Sequence, residues 1–176
     1  MKIAFSSILE TIEQAKLKFD FSALFQTQPD VLRDVQIYKS DSAGVKDWSF
    51  PAENQMKWEN PLTAIASNGS EFNFVFKDEK TSDAPMSGPA SIVVKIDPPS
   101  SIVRKIIVSY DQIDYTEGFK LFDAEGTCVL EIGIFSRQTK EILLEAKDRI
   151  VGFRSRLHKA DGAWHNSLVI VIARRE

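Results

Sequence analysis

The stretch IVRKIIVSYDQIDYTEGFKLFDAEG, residues 102–126, decides the fold that we predict. It holds two short apolar runs, and the turn sequence Asp-Gln-Ile-Asp (111–114) separates them. The pattern continues to the end of the chain, with further turns at residues 123–126 and 159–162. The apolar runs are residues 103–110, 118–122, 128–135, 140–144, 150–156 and 167–173. Closely spaced short strands with Asp/Gly turns predict an antiparallel sandwich, barrel or prism, with no long helix after residue 60.

Strand candidates also occur before residue 102, where the apolar runs are shorter but have the same strand-like pattern. Residues 31–39, 62–66 and 91–96 are strand candidates, whereas residues 40–60 and 78–89 resemble loops. Asn68-Gly69 predicts a type I′ hairpin turn, because both residue types tolerate a positive φ. Phe72, Phe74 and Phe76 alternate with other residues, so we expect all three on one buried face.

The beginning of the chain has a helical period instead. Ser7 and Glu10 form a capping box at the start of residues 7–19. Its apolar face consists of Ile8, Ile12, Ala15 and Phe19. We therefore predict a helical and aromatic arm over residues 1–30 and a β-domain over residues 31–176. The arm either packs on its own β-domain or contacts a partner chain, which would make the protein an oligomer or a subunit of a complex.

Length and composition exclude several classes of protein. The chain has 176 residues and a formal net charge of −3, so the basic surplus typical of nucleic-acid-binding proteins is missing. Serines and Glu10 interrupt the first apolar run, which therefore makes a poor signal peptide. No run approaches the ~18 apolar residues of a transmembrane helix. We expect an intracellular protein in which the single cysteine, Cys128, is a buried core residue.

Catalytic and metal-binding patterns are missing from the sequence. His158 and His165 lack the further ligands that a metal site needs. No Gly-x-Ser-x-Gly elbow and no glycine-rich phosphate loop occurs. We predict neither an enzyme nor a cofactor. Basic residues at 149, 154, 156, 158 and 159 form either an exposed face with local salt bridges or a patch for an acidic partner.

Several short motifs in residues 102–171 resemble the jacalin-like β-prism lectins. They are KIIVSYD (105–111), EGFKLFD (117–123), KEILLE (140–145), DRIVGFR (148–154) and GAWHN (162–166). The resemblance implies an all-β protein of β-prism-like antiparallel sheets. In that family a Gly-x-x-x-Asp loop before the last strand holds sugar hydroxyls through backbone amides and the carboxylate. Here Asn166 replaces that Asp, which keeps an acceptor but removes the charge.

The resemblance implies a non-catalytic binding module whose ligand is a glycan or a protein. The glycan would contact the loop 161–166, and the site residues are Gly162, Ala163, Trp164, His165 and Asn166. Trp164 would offer an apolar surface to a sugar ring, and Asn166→Asp would strengthen binding. The alternative is a scaffolding subunit that uses the β-domain and the N-terminal arm for protein–protein contacts.

Overall fold

The computed structural model describes residues 30–39, 46–69, 71–78, 86, 88–112, 115–136, 138–158 and 164–175. Within these residues the chain forms strands, loops and one 3-10 turn, Glu53–Gln55. The strands are β1 Val31–Gln36, β2 Lys46–Phe50, β3 Leu62–Ser67, β4 Phe72–Phe76, β5 Ile92–Lys95, β6 Lys105–Tyr110, β7 Thr116–Phe122, β8 Cys128–Gly133, β9 Gln138–Leu143, β10 Asp148–His158 and β11 Trp164–Arg174. The predicted helical arm lies outside the described residues, apart from Asp30.

The described strands form three antiparallel sheets, as expected for a β-prism. The first sheet has the order β1-β11-β10-β2, the second β4-β3-β5 and the third β8-β7-β6-β9. The first sheet joins the two ends of the β-domain sequence, because β1 pairs along the last strand, β11. The all-β prediction is therefore confirmed for the described residues, and none of them after residue 60 belongs to a helix.

The long hairpin of β10 and β11 sets the length of the first sheet. Each strand has eleven residues. Asp148 pairs with Arg174 at one end, and His158 pairs with Trp164 at the other. At ~3.3 Å per residue the two ends lie roughly 33 Å apart. Side chains at one end are therefore too far from the other end for direct contact.

The core lies between the three sheets and is rich in phenylalanine. The predicted shared face of Phe72, Phe74 and Phe76 is confirmed, because all three are at most 1% exposed. Phe74 stacks on Phe153 of the first sheet at a centroid distance of 3.6 Å. It also meets Phe119 of the third sheet edge to face at 5.5 Å. One residue of the second sheet thus contacts both other sheets.

Three local expectations were wrong. Cys128 is exposed, because β8 is an edge strand and the register shift beside Phe122 turns Val129 and Leu130 inward instead. Residues 46–50, which we expected to be loop, form β2 and pair with β10. The predicted turn at Asn68-Gly69 does join β3 to β4, but it is not of type I′, because Gly69 has a φ of 117° whereas the φ of Asn68 is not positive.

Candidate functional site

One end of the prism collects the turn between β6 and β7 and the start of β11. A β-bridge joins Tyr115 to Asn166 there. The hydroxyl of Tyr38, just after β1, lies 2.7 Å from Thr116 Oγ1 and donates to the carbonyl oxygen of His165 at 2.7 Å. The segment after β1, the start of β7 and the start of β11 are thereby held together. We call this the open end of the prism.

Aromatic side chains dominate the open end. Trp164 keeps 39% of its surface exposed. Its indole meets the ring of Tyr115 edge to face, with centroids 5.1 Å apart. Tyr38, which bonds to the His165 carbonyl, stacks on Tyr110 with ring centroids 4.8 Å apart. An exposed indole supported by a second ring is a rigid apolar surface of the kind that packs against the C–H groups of a ligand.

Asp111 fixes the turn that carries Tyr115. Its carboxylate accepts the backbone N–H of Tyr115 at 2.8 Å, and its own N–H donates to the Tyr115 carbonyl at 3.0 Å. Burial, followed by the negative charge of Asp111, raises the pKa of Tyr115. The phenol therefore stays protonated at neutral pH, and the carboxylate acts as a positioning group for the aromatic pair.

His165 belongs to the core although it follows the exposed Trp164. Its side chain is 1% exposed. Nε2 lies 2.8 Å from the Phe72 carbonyl and Nδ1 lies 2.7 Å from Ser155 Oγ. A carbonyl only accepts, so Nε2 carries the proton and Nδ1 accepts from the serine. Burial lowers the pKa of His165 to about 4, so the ring is neutral at pH 7.

Asn166 also lies below the surface, with no exposed area. A register shift in β10–β11 falls next to it, and Ser167 takes a φ of 53°. Such a bulge interrupts the in–out alternation of a strand, so the consecutive residues His165 and Asn166 are both buried. An ionised Asp at position 166 would lose its hydration, a cost that opposes the gain in binding that we expected from Asn166→Asp.

Of the five predicted site residues, only Trp164 is described with an accessible side chain. Gly162 and Ala163 lie outside the described residues. The loop therefore stays a prediction as a binding site. Sequence reasoning missed Tyr115, the aromatic partner of Trp164, and the stack of Tyr38 on Tyr110. The sequence did offer one signal for this aromatic group. Tyr115 directly follows the turn Asp-Gln-Ile-Asp, five residues after Tyr110.

Two arginines of the basic cluster are paired with acids. Arg154 Nη1 lies 3.1 Å from Asp34 Oδ2, and Arg156 Nε lies 3.3 Å from Asp47 Oδ1. The guanidinium of Arg149 lies 4.6 Å above the ring of Trp58. These contacts confirm the interpretation as an exposed face with local salt bridges. Lys159, the last member of the cluster, lies in the range 159–163, which is outside the described residues.

The described part of the chain offers no cluster of three His, Cys, Asp or Glu residues arranged for a metal ion. It also contains no helix that is long and apolar enough to cross a membrane.

Comparison with known proteins identifies the fold. No protein-family model and no curated protein matches this sequence. Among solved structures, a Malaysian banana lectin matches over 82% of this chain and 100% of its own, with a TM-score of 0.56 and 12% identity. Single-chain recombinant jacalin matches over 86% and 99%, with a TM-score of 0.52 and 11% identity. The resemblance to the jacalin-like β-prism is thus confirmed at the level of the fold.

Proposed function

We propose that this protein is a non-catalytic carbohydrate-binding module and that the sugar docks at the open end of the prism. The observation that carries the proposal is the exposed Trp164, supported edge to face by Tyr115. It lies at the start of β11, within the segment 161–166 that the sequence resemblance implicates. The same fold serves as a lectin in the banana protein and in jacalin.

Trp164 would supply the apolar part of the contact. One face of a sugar ring carries C–H groups that pack on an aromatic surface, while its hydroxyls need hydrogen-bond partners. Backbone amides of residues 161–163, just before Trp164, would provide those partners. Tyr115 and Asp111 would act indirectly, by keeping the indole in place. This division of roles requires no ionised group from position 166.

A glycan array followed by calorimetric titration of the best sugar tests the proposal. We expect the native protein to bind a defined set of glycans and Trp164→Ala to weaken the affinity at least tenfold. Trp164→Phe should retain part of the affinity, since it keeps an aromatic surface. Leu143→Ala is the matched control, because Leu143 is an exposed apolar residue on the third sheet, at 69%.

Two results would contradict the proposal. An array that stays blank for the native protein would leave a jacalin-like fold with a different use. Equal loss of affinity in Trp164→Ala and Leu143→Ala would place the sugar elsewhere on the prism.

A further inference from the structure

The outer face of the second sheet carries a cavity of about 860 Å³. Its floor includes Ala64 and Ala66 of β3, while Ile65 between them belongs to the core. Side chains alternate across a strand, so the two alanines point away from the core. Val75, Val93 and Met86 add apolar walls. Small residues on the middle strand and larger ones beside them make a trough that opens outward.

The edge of this sheet is unusually apolar for a surface. Ile92 and Val93 of β5 are 54% and 55% exposed, and β5 is an edge strand. Exposed apolar side chains beside an apolar cavity are typical of a docking surface. Ala64 and Ala66 are only 3% and 5% exposed, so an occupant would need to insert side chains to reach them.

The described chain begins beside this cavity. Asp30 accepts the backbone N–H of Trp58 at 2.7 Å. The ring of Trp58 lies 4.6 Å from the guanidinium of Arg149, and Arg149 lines the cavity. Asp30, where residues 1–29 join the β-domain, is therefore connected to the cavity wall by two contacts, Asp30 to Trp58 and Trp58 to Arg149. This junction lies at the Arg149 end of β10 and not at the open end.

The length of the segment suffices to fill the trough. Residues 20–29 span up to ~33 Å when extended. Residues 7–19, as a helix, would be ~20 Å long. Their apolar face, which includes Ile12 and Phe19, would otherwise be exposed to water. Covalent linkage gives this segment a high effective concentration at the cavity, which favours it over a free partner.

We propose that residues 7–19 dock as an amphipathic helix in the cavity of their own β-domain, with Ile12 and Phe19 inserted toward Ala64 and Ala66. The docked segment covers the apolar edge of β5. The open end stays accessible, so this docking is independent of sugar binding.

Thiol protection in the full chain tests the docking. Ala66→Cys is made in a Cys128→Ser background, and the rate of its reaction with a small disulfide reagent is measured. We expect Ile12→Asp to raise that rate at least tenfold, because a charged side chain leaves the apolar cavity. Gln14→Asp is the matched control, since residue 14 lies on the opposite face of the helix, and the rate should not change.

Two further measurements complete the experiment. They are the dependence of the reaction rate on protein concentration and the reactivity of a thiol placed in the core. Protection by the chain's own segment should not change on dilution, whereas protection that falls on dilution would mean a second copy and overturn the proposal. Equal rates with and without Ile12→Asp would also overturn it. Val108→Cys, in the core, should stay unreactive in the Ile12→Asp background. If it reacts, Ile12→Ala makes the same comparison in a folded protein, and an unchanged rate there counts against docking.

Discussion

The two ends of the β10–β11 hairpin use the same residue types in different ways. At the Asp148 end, which we call the closed end, Trp58 is held between the guanidinium groups of Arg149 and Arg175. Its indole N–H donates to the Lys147 carbonyl at 2.9 Å. At the open end, Trp164 has one aromatic neighbour, Tyr115, and an exposed surface. Trp58, which is half-buried and in contact with two guanidinium groups, stabilises the fold, whereas the more exposed Trp164 is available to a ligand.

The charges differ between the ends as well. Asp148 is fully buried and accepts from Arg174 at 2.8 and 3.1 Å, from Arg33 at 3.3 Å and from the Glu145 N–H at 3.0 Å. Burial disfavours its ionisation, but these hydrogen bonds and the arginine charges outweigh burial and lower its pKa. His165, buried under the open end, stays neutral instead. The closed end is thus held by a buried carboxylate with its arginines, whereas His165 makes hydrogen bonds between neutral groups.

Removing the buried carboxylate should have the largest effect. Asp148→Ala removes two hydrogen bonds of Arg174 and leaves the Glu145 N–H without its acceptor, and we expect a loss of roughly 3–5 kcal/mol in the free energy of unfolding. Denaturant titration measures it. Glu145→Ala is the control, since Glu145 is 71% exposed and pairs with the same arginine. Glu145→Ala should lower the free energy of unfolding by less than about 1 kcal/mol. Similar losses in both variants would contradict the closed-end account.

The core between the ends should be nearly as sensitive. Phe74→Ala opens a cavity where the three sheets meet, so we expect a loss of about 3–5 kcal/mol in denaturant melts. Phe135→Ala serves as the control, because Phe135 is only half-buried and lies under Lys120. A loss below about 1 kcal/mol for Phe74→Ala would mean that the sheets do not share this contact.

The two ends should lose stability in different pH windows. The unfolded chain binds a proton at His165 near pH 6.5, whereas the folded chain does so near pH 4. Stability therefore falls as the pH drops from about 6.5 to 4, by roughly 3 kcal/mol. Asp148 contributes stability that is lost only below its ordinary pKa of 3.8. Melts of the native protein and His165→Gln should differ in slope between pH 6.5 and 4, and equal slopes would contradict this assignment.

The smallest effect on stability is expected at the open end. Trp164→Ala removes an exposed side chain with one ring contact, so the free energy of unfolding should change by less than about 1 kcal/mol. Trp58→Ala, by contrast, removes a hydrogen bond and two guanidinium contacts, and we expect a clearly larger loss. Thermal melts of the two variants make the comparison. A greater loss for Trp164→Ala would mean that the open end is structural.

The alternation of apolar and polar residues was sufficient to predict the sheets. It did not predict the positions at which side chains stop alternating between the two faces of a strand. The phenylalanines of β4 followed the pattern and were predicted correctly. Cys128 and Asn166 were not, because each lies beside a register shift that depends on the partner strand. A bulge leaves no clear signal in the residues on either side. β2 was missed for a related reason, since only Trp48 and Phe50 alternate in a strand of five residues.

The candidate site was predictable in position but not in composition. The motif at residues 162–166 pointed to the strand end where Trp164 is exposed. The contributions of Tyr38, Tyr110 and Tyr115 come from three separate segments that only the fold brings together. Sequence spacing carries no information about such long-range contacts.

The most direct test of sugar binding at the open end uses the three tryptophans of the chain as reporters. Their indole N–H signals are recorded by nuclear magnetic resonance, assigned with single Trp→Phe variants and followed during titration with a sugar found on the array. Trp164 lies at the open end, Trp58 at the closed end and Trp48 against His165 at 4.9 Å. We expect the Trp164 signal to shift with sugar concentration while the Trp58 signal stays fixed. A shift of Trp58 with an unchanged Trp164 would contradict the assignment of the site.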